Sequence, residues 1–513
     1  SPPNNWDSQT YHLPKIEHWV AQHDVAFFAT RIHRQVTLAP GAEYLLVHLR
    51  LLTGGEALYN LLQWSAGLGC ALVASRIAGQ LGGGRVAQLL TGFVVGTAPM
   101  VALESTSTQT DLVVAAWVAC VATLVLDELR TRTNLWSCFL IGAGTGLTAL
   151  TKATGLLGIA PLLLIWAARQ LPRAPLRTLA GGALIAVLTA AIAGPYLYRL
   201  DRTFGSPLGP GYLRDSVSMQ RHDPASVLVN GLRIGYSALE TPLTPLDHAA
   251  SGAVVSVAHA VGVDPSGREI TFFDATFPTV TWMPDEDRAS FPVQGTLVLV
   301  GALLLLVRRR TARGTRVYAG AFWLAVLLYA GTVKWQPWGN RLILFLLVLG
   351  APLAGLWLAP ALEQARKRRV AAWAAAVALV VGGCAGWLAV GYGWPRRLVG
   401  TGSVLTESRT AQRFNRRPQW AGDYVWAADA VRASGAHRVG LVQGEDTWEY
   451  PWWVLLPGTR IDALQTLVPG YPPVTPEQVD AIVCVAPVPT CQHYLPTGWT
   501  LRTQGIVSYA VRP

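Results

Sequence analysis

The stretch NNWDSQTYHLPKIEHW, residues 4–19, precedes every long apolar segment of the chain and combines an acid with a helical pattern. Its apolar side chains recur at the spacing of one helix face: Leu13, Ile16, Trp19 and Val20. Pro14 suits a first helical turn, and Lys15 and His18 can face away from the apolar side. We expect a helix that lies in a membrane interface, with an ordinary surface helix as the alternative. Asp7 precedes this helix and is either a solvated loop residue or a functional one.

The composition of the whole chain argues against an ordinary soluble protein. Of 513 residues, 51% are hydrophobic and only 14% are charged, whereas soluble proteins carry about 25% charged residues. The net charge of +11 comes from basic residues in short runs between apolar segments. Such runs orient a polytopic membrane protein. We therefore expect the lipid bilayer as a partner, and no nucleic acid.

Ten apolar segments approach the roughly 20 residues that a helix needs to cross a bilayer. They lie at 56–75, 87–103, 112–126, 135–151, 153–168, 178–198, 291–307, 317–333, 342–361 and 370–393. The connections on one side carry 16 Lys and Arg: 76–86, 127–134, 169–177, 308–316 and 363–369. The short turns on the other side hold only Lys152, Lys334 and Arg341. The positive-inside rule therefore places the first set in the cytoplasm.

Three polar segments then share the outer side of the membrane: residues 1–55, 200–290 and 394–513. The chain begins with Ser1 and has no signal peptide. Because the first polar segment lies outside, we expect one further transmembrane helix before Ser1, for a total of eleven. The expected fold class is an α-helical polytopic membrane protein with a small α/β domain outside the cytoplasm at its C-terminus.

The C-terminal segment has the pattern of a separate soluble domain. YVWAADAVRASG, residues 424–435, has helical spacing and ends on a glycine that suits a C-cap. HRVGLVQ (437–443) and VDAIVCVAP (479–487) are short apolar strands flanked by turn residues. No GxGxxG follows a strand, so nucleotide binding is unsupported and a capping or acceptor-docking role is favoured. Cys484 and Cys491 either form a disulfide outside the cytoplasm or stay free.

The charges of the chain avoid the interiors of the spans, which argues against an ion or proton pathway. They gather at the outer span ends and in the first polar segment: Asp7, Arg31, Arg34, Glu43, Glu104, Asp111, Lys152, Lys334 and Arg341. This distribution indicates an active site at the outer membrane surface, suited to a substrate that is half lipid and half water-soluble. A polyprenyl phosphate that carries a sugar fits, because its phosphate needs cations and the acceptor hydroxyl needs a base.

Four stretches carry a resemblance to a known family: WDSQTYHLPKIEHW, STQTDLVVAAW, LTKATGLLGIAP and WQPWGNRLILF. They resemble the GT-C glycosyltransferases, polytopic enzymes that use lipid-phosphate-linked sugars, and most of all the protein O-mannosyltransferase and aminoarabinose-transferase branch. The order of loops and spans agrees over residues 1–395, which the resemblance implies to be a GT-C transmembrane domain. Many members carry a C-terminal domain outside the cytoplasm, which here is residues 396–513, the tail.

The resemblance implies catalytic roles for acids. Asp7 matches the catalytic acid of the first outer loop, which takes or orients the acceptor proton while the sugar leaves phosphate with inversion. Many members have a second acid directly afterwards, but this chain has Ser8. Asp111, in TQTD, is therefore the candidate for the second carboxylate, although it can instead cap its helix. Glu104 is a weaker candidate.

The resemblance also implies cations for the lipid phosphate. Lys152 in LTKATG and Arg341 in GNRLILF match residues that balance the phosphate and stabilise it as a leaving group. At span ends, however, such residues can simply mark the interface. The aminoarabinose-transferase branch has a KPPL-like motif where this chain has APGAEY, residues 39–44, without the lysine. Arg34 is the candidate that supplies this charge instead.

Other polar residues receive supporting or open roles. Tyr11 and His12 are expected to orient neighbouring groups rather than react. His222-Asp223 and DEDR, residues 285–288, can touch substrate or a divalent cation, as acids do in some relatives, but they lack metal-ligand spacing. No nucleotide cofactor is implied, because the donor is already activated. A divalent cation is the one cofactor left open.

The expected function is transfer of one sugar from a polyprenyl-phosphate donor to an extracytoplasmic hydroxyl of a protein, glycan or lipid. A transporter or flippase of lipid-linked sugars is the alternative, and it predicts transport without turnover and activity that survives Asp7→Asn. A non-catalytic scaffold is a third possibility. It predicts that deletion of 396–513 abolishes function while Asp7, Lys152 and Arg341 are dispensable.

Overall fold

The computed structural model describes residues 1–278 and 284–513, which are mostly helical with one small sheet near the C-terminus. Residues 279–283 belong to the predicted outer loop 200–290 and lie outside the described residues. The predicted missing helix before Ser1 also stays a prediction.

The chain begins with a compact group of short helices. A π-helical turn, Ser8–His12, follows Asp7 and leads directly into α1, Leu13–Gln22. Two further helices complete the group, α2 at Arg34–Thr37 and α3 at Gly41–Thr53. Pro14 lies in the first turn of α1, as its fixed φ angle favours. This segment therefore brings Asp7 to the end of a continuous helical rod.

Each predicted span coincides with a helix or a pair of helices in the described part of the chain. The first six are α4 Tyr59–Gln80, α5 Arg85–Gly96 with α6 Pro99–Glu104, α7 Asp111–Glu128, α8 Leu135–Thr151, α9 Leu156–Gln170 after the 3₁₀ turn Ala153–Gly155, and α10 Pro175–Phe204. The outer loop that follows contains α11 Gly211–Val217, α12 Pro224–Leu239 and α13 Thr244–Ala260. The last spans are α14 Pro292–Val307, α15 Arg313–Thr332, α17 Leu344–Glu363, which the short α16 Gly339–Leu342 precedes, and α18 Arg369–Tyr392.

Five of the described helices are long and apolar enough to cross a membrane by length and composition alone. They are Tyr59–Gln80, Ala153–Gln170, Pro175–Phe204, Leu344–Glu363 and Arg369–Tyr392. α5, α8 and α14 are apolar but shorter. The chain is thus a multi-pass membrane protein, as predicted.

The membrane helices pack around α17, which is apolar on every face and largely buried. α4, α5, α7 and α14 pack against it. Glycine allows the closest approach, since a Cβ at Gly355 would lie 2.2 Å from Thr91 Oγ1 and one at Gly350 would lie 2.3 Å from a Val298 methyl. One end of this bundle carries the predicted site residues Asp111, Lys152 and Arg341.

The tail contains the predicted small α/β unit. Its helices are α19 Arg409–Arg413, α20 Pro418–Ala433, α21 Tyr450–Leu455 and α22 Val488–His493, with a 3₁₀ turn at Pro476–Gln478. Its strands are β1 Arg438–Gln443, β2 Arg460–Ala463, β3 Ala481–Val485, β4 Arg502–Gln504 and β5 Val507–Val511. They form a sheet in the order β2-β1-β3-β5-β4, with β1 parallel to β2 and β3, and β5 antiparallel to β3 and β4. Gly435 follows α20 with φ +71°, as the predicted C-cap requires.

The two cysteines of the tail are bonded to each other in this structure. Cys484 in β3 and Cys491 in α22 form a disulfide across a sequence separation of seven residues. Of the two alternatives that the sequence leaves open, the structure contains the paired one. The extent of the tail, with a boundary near residue 396, stays a prediction.

α1 has the predicted helical pattern, but its polar face is covered by protein instead of facing away freely, and its placement in a membrane interface stays a prediction. Lys15, expected to face away, is 1% exposed and donates to Glu43 Oε1 at 2.9 Å. His18 Nε2 lies 2.7 Å from Glu449 Oε1 in the tail. Trp19 is buried rather than exposed to lipid headgroups. The tail covers the polar face of α1 from 431 residues away in sequence, and periodicity cannot reveal such a distant cover.

Candidate active site

Asp7 is fixed by polar contacts between its own turn and the loop that joins α6 to α7. Asn5 Oδ1 accepts the backbone N–H of Ser8 at 2.7 Å, and Asn5 Nδ2 donates to Thr108 Oγ1 at 3.0 Å. Ser8 Oγ lies 2.6 Å from Thr108 Oγ1. Gln109 Nε2 donates to Asp7 Oδ2 at 3.2 Å. Ser8, which replaces the second acid of the family pattern, therefore anchors the turn that carries Asp7.

Asp7 forms a buried ion pair with Arg341 from α16. Arg341 Nη2 lies 2.6 Å from Asp7 Oδ2, and the residues are 8% and 9% exposed. Burial alone raises the pKa of Asp7, but Arg341, followed by His12 and a hydrogen bond from Tyr11, holds the pKa well below its usual range. Asp7 is therefore ionised at neutral pH. Arg341 Nε is buried and has no hydrogen-bond partner among the described residues.

Asp111 and Lys152 form a second ion pair at the ends of neighbouring membrane helices. Asp111 is the first residue of α7, and Lys152 directly follows α8. Lys152 Nζ lies 2.5 Å from Asp111 Oδ1. This contact uses one of the three N–H donors of the lysine ammonium. Asp111 is 1% exposed, and its Oδ2 has no partner in the part of the chain that is described. The N-cap of α7 is Thr110, so the alternative of a capping role for Asp111 is not realised.

Glu104 lies beside the start of α7 and is fully buried. Gln63 Nε2 donates to Glu104 Oε2 at 2.8 Å, while Gln63 Oε1 accepts the backbone N–H groups of Leu112 and Val113 at 3.1 and 3.2 Å. Through Gln63, Glu104 is thus tied to the helix end that carries Asp111. Its Oε1 has no partner among the residues described.

Arg34 lies over the ring of Tyr11, with 5.1 Å between the guanidinium carbon and the ring centroid. It forms an ion pair with Asp446 Oδ1 and donates to the carbonyl of Glu445 at 3.1 Å, both in the tail. Its charge contributes to the lowered pKa of Asp7. Arg34 therefore joins the tail to the surroundings of Asp7, at a place where sequence analysis predicted a phosphate ligand.

His12 belongs to a buried group that sequence analysis did not assemble. His12 Nδ1 lies 2.7 Å from Glu43 Oε1, and Lys15 Nζ lies 2.9 Å from the same oxygen. Burial raises the pKa of Glu43, but Lys15 and His12 outweigh this effect and lower the pKa to about 2. His12 is thereby oriented beside Tyr11, with 4.5 Å between the two ring centroids. The sequence signal for this group was the helical spacing of residues 11–15, which places His12 and Lys15 near each other.

The loop before α14 adds charges to the site that sequence analysis left as an open possibility. Asp287 Oδ1 lies 3.7 Å from Arg341 Nη1, and Arg416 Nη2 lies 3.0 Å from Asp287 Oδ2. Glu286 pairs with Arg396 and, at 2.9 Å, with Arg416. Burial raises the pKa of Asp287 to about 6, although Arg416 and Arg341 oppose the shift. The sequence signal that this loop could belong to the site was its four consecutive charged residues, 285–288, just before a span.

Three other charged or titratable residues considered from the sequence have hydrogen-bond partners outside this cluster. Asp223 caps α12, accepting the N–H of Ser226 at 3.0 Å, and the neighbouring His222 Nδ1 lies 2.9 Å from the carbonyl of Gly331. Lys334 Nζ donates to the carbonyl of Asp215 at 2.7 Å. These contacts are structural.

The described residues around Asp7 include no recognisable metal-binding group, and Asp7 does not line the cavity found beside α1. Within residues 1–278 and 284–513, no group of three or more His, Cys, Asp or Glu is arranged to hold a metal ion, and the divalent cation stays an open possibility. A cavity of about 590 Å³ lies between α1 and the tail. Glu17, Arg50, Glu56 and Trp453 are among its lining residues, and Asp7 and Arg341 are not.

Comparison with solved structures finds similarity along nearly the whole chain, including two structures of one protein. The crystal structure of ArnT from Cupriavidus metallidurans bound to undecaprenyl phosphate has a TM-score of 0.56 and 12% sequence identity, over 99% of this chain and 94% of that chain. ArnT from the same organism in the apo state has a TM-score of 0.54 and 13% identity over the same shares. No protein-family model and no curated protein matches the chain. The predicted GT-C fold is thereby confirmed, as an ArnT-like membrane fold with a small C-terminal sheet.

Proposed function

We propose that this chain is an integral membrane glycosyltransferase that moves one sugar from a polyprenyl-phosphate donor to an extracytoplasmic hydroxyl, with inversion. The observation that carries the proposal is the buried Asp7–Arg341 pair. Gln109 links it to the Asp111–Lys152 pair, because Gln109 donates to Asp7 and lies two residues before Asp111. Buried charges with unused hydrogen-bonding atoms are expensive unless a ligand completes them. Similarity to an ArnT structure bound to undecaprenyl phosphate supports the same kind of donor.

The proposed phosphate ligands are Arg341 and Lys152, with Arg34 as a further cation near Asp7. Arg341 uses Nη2 on Asp7, which leaves its buried Nε as a donor for a phosphate oxygen. Lys152 keeps two N–H donors beyond its bond to Asp111. Charge-assisted hydrogen bonds from both cations would stabilise the phosphate as the sugar–oxygen bond breaks.

Asp7 is the proposed base. It is ionised and held in place before substrate arrives, so it can accept the proton of an acceptor hydroxyl. In the free protein, the ion pair with Arg341 keeps the basicity of the Asp7 carboxylate low. A donor phosphate that binds the same guanidinium would weaken this pair and so raise the basicity of Asp7. The proposed base thus becomes stronger when the donor is bound. Tyr11 and His12 support the turn that carries it.

Asp111 has a different proposed part. One of its oxygens holds Lys152, and the other is buried without a partner in the described residues. Its proposed partner is a sugar hydroxyl, which would donate a hydrogen bond to this oxygen. Glu104, linked through Gln63 to the start of α7, supports Asp111.

We propose that the protein lies in the plasma or inner membrane. Its site and its tail would face away from the cytoplasm. The distribution of Lys and Arg among the loops supports this orientation. The disulfide of the tail supports it independently, because disulfides persist in oxidising compartments. Residues 1–395 would form the transferase domain, and the tail would cover it from outside. The acceptor can be a protein, a glycan or a lipid.

The test is sugar transfer by the purified full-length protein from polyprenyl phosphates that carry labelled sugars. We expect the wild type to release sugar from at least one donor and Asp7→Asn to lose the transfer. Asp274→Asn is the matched control, because Asp274 is an exposed carboxylate of the predicted outer loop that pairs with the exposed Arg268. No release from any donor by the wild type, or normal turnover by Asp7→Asn, would refute the proposal.

An assay with the same protein reconstituted in vesicles distinguishes a transferase from the alternative, a flippase. Movement of a labelled lipid-linked sugar across the bilayer without turnover, unaffected by Asp7→Asn, would favour transport. Transfer that depends on Asp7 would favour the enzyme.

A further inference from the structure

The tail contacts the proposed site through Arg416, which lies in the short connection between α19 and α20. Arg416 Nη2 bridges two carboxylates, Glu286 Oε1 at 2.9 Å and Asp287 Oδ2 at 3.0 Å. Asp287 in turn faces Arg341, with 3.7 Å between Oδ1 and Nη1. A continuous chain of alternating charges therefore runs from the tail to Asp7.

Charge balance makes Arg416 necessary to this chain. The buried cluster contains three carboxylates, Asp7, Glu286 and Asp287, and three guanidinium groups, Arg341, Arg396 and Arg416. Without Arg416 the cluster would carry one uncompensated negative charge. Asp287 would then lose the cation that keeps its carboxylate ionised and turned towards Arg341, because unpaired buried charges are costly.

The backbone of this loop is already fixed by other contacts. Asp285 Oδ1 accepts the N–H groups of Asp287 and Arg288, both at 2.8 Å. The N–H of Glu286 donates to the carbonyl of Trp394 at 3.1 Å. The main freedom left to Asp287 is therefore the orientation of its side chain, which Arg416 holds.

We infer that Arg416 is a positioning residue of the transferase site: it holds Asp287, and Asp287 holds Arg341 with Nη2 on Asp7 and Nε towards the donor phosphate. This inference rests on the proposed function, which supplies the phosphate. It gives the tail a direct part in donor binding, in addition to covering the outer face of the bundle.

The experiment measures binding of undecaprenyl phosphate to the purified full-length protein in a double-mutant cycle. Its variants are Arg416→Gln, Asp287→Asn and the two combined. We expect each single change to raise the Kd roughly tenfold, as removal of a group that orients a ligand-binding side chain does. Because Arg416 acts through Asp287, the double variant should bind about as weakly as either single one. Arg432→Gln is the matched control, since Arg432 is exposed on α20 and pairs with Asp429 at the surface.

The pH dependence gives a readout that a merely structural role would not move. Asp287 faces Arg416, Arg341, Glu286 and Asp7, and its pKa of about 6 is opposed by the two arginines. Loss of Arg416 raises this pKa further, so Asp287 is protonated at a higher pH. As the pH is lowered, binding should therefore begin to weaken at a higher pH in Arg416→Gln than in the wild type or in Arg432→Gln. Thermal unfolding is followed in parallel to confirm that each variant is folded.

Additive losses in the double variant, or wild-type affinity of a folded Arg416→Gln, would overturn the inference. If Arg416→Gln does not fold, the cycle is repeated with Arg416→Met, which keeps a long side chain but removes its charge and its N–H donors. Wild-type affinity of the folded Arg416→Met would likewise count against the inference. Sugar transfer is assayed separately, so an inactive wild type that still binds undecaprenyl phosphate defeats the proposed function without deciding the binding cycle.

Discussion

Single residues show what the sequence could and could not reveal about the site. Asp7, Asp111, Lys152 and Arg341 were named as candidates through the family resemblance, and the last three are also rare charges at the ends of apolar segments. Their pairing was not identifiable, since Asp7 and Arg341 meet through the packing of helices far apart in sequence. Asp287 was harder still, because its part depends on a tail residue, Arg416.

Replacement of Arg341 by lysine tests whether its planar shape matters. A lysine keeps the positive charge but cannot hold Asp7 and Asp287 and also donate to a phosphate. We expect Arg341→Lys to reduce the turnover number about 100-fold, the size expected for loss of one stabilising donor. Steady-state transfer measures it. Arg268→Lys, at an exposed arginine, is the control, and equal turnover of both variants would contradict a phosphate role.

Glu43 offers a stability test that is independent of the donor. Glu43→Gln keeps the shape but leaves the charge of Lys15, which is 1% exposed, without its carboxylate. We expect a loss of about 3 kcal/mol, typical when one partner of a buried pair is removed. Thermal unfolding in detergent measures the loss as a lower Tm. The exposed Glu407→Gln is the control, and an equal Tm for both variants would contradict a strong buried pair.

The same pair predicts a direction with pH. The pKa of Glu43 falls from 4.5 to about 2 on folding, so its stabilising contribution is complete above 4.5 and is lost as the pH falls towards 2. Glu43→Gln should therefore lose less stability than the wild type over that interval. Parallel Tm curves for the two proteins between pH 5 and pH 3 would contradict this expectation.

Helices differ in how far the sequence specifies them. Each predicted span coincides with a described helix or helix pair, because apolar length is a property of a local segment. The surroundings of α1 are not local. Its apolar face meets α3 and α4 through Leu46 and Tyr59, and the tail through Tyr450. A pattern that fits an interfacial helix fits a doubly covered helix equally well.

A cavity-forming substitution distinguishes these two environments of α1. Ile16 is fully buried between the first helices, α4 and the tail. We expect Ile16→Ala to destabilise the protein by about 2–4 kcal/mol, because a buried cavity is left. Leu52→Ala, at an 81% exposed position of α3, should change the Tm little. Equal small effects of the two changes would place α1 at an open surface after all.

The whole molecule joins the first loop and the tail into one outer layer. Trp6, next to Asp7, packs against Trp420 and Trp448 at centroid distances of 5.9 and 5.4 Å. On the other side of Asp7, the carbonyl of Gln9 accepts the N–H of Glu449 at 3.0 Å. The sequence predicted a tail of the right fold class and treated it as separate. The contacts on both sides of Asp7 could not be predicted from the sequence, because they join segments at opposite ends of the chain.

Glu449 is the residue through which this outer layer can be loosened. Its buried carboxylate accepts hydrogen bonds from Gln35 at 2.7 Å and Gln443 at 2.8 Å, and it lies 2.7 Å from His18 Nε2. Burial raises the pKa of Glu449, but His18 and the hydrogen bonds lower it overall, so the group is ionised at neutral pH. Glu449→Gln removes the charge, and in either orientation its amide turns a donor towards another donor: those of Gln35 and Gln443, or that of Trp453.

We expect Glu449→Gln to speed amide hydrogen exchange in residues 4–19 by roughly tenfold, as the loss of about 1.4 kcal/mol of local stability implies. Exchange in β1 and β3 should stay slow, because their pairing does not involve residue 449. Hydrogen exchange read by mass spectrometry on the full-length protein measures both regions together. Glu445→Gln, whose carboxylate accepts only from the hydroxyl of Tyr212 near the surface, is the control. Unchanged exchange in residues 4–19 would mean that the first loop is held from the membrane domain alone, and uniform acceleration including the sheet would mean that the tail itself had lost its fold.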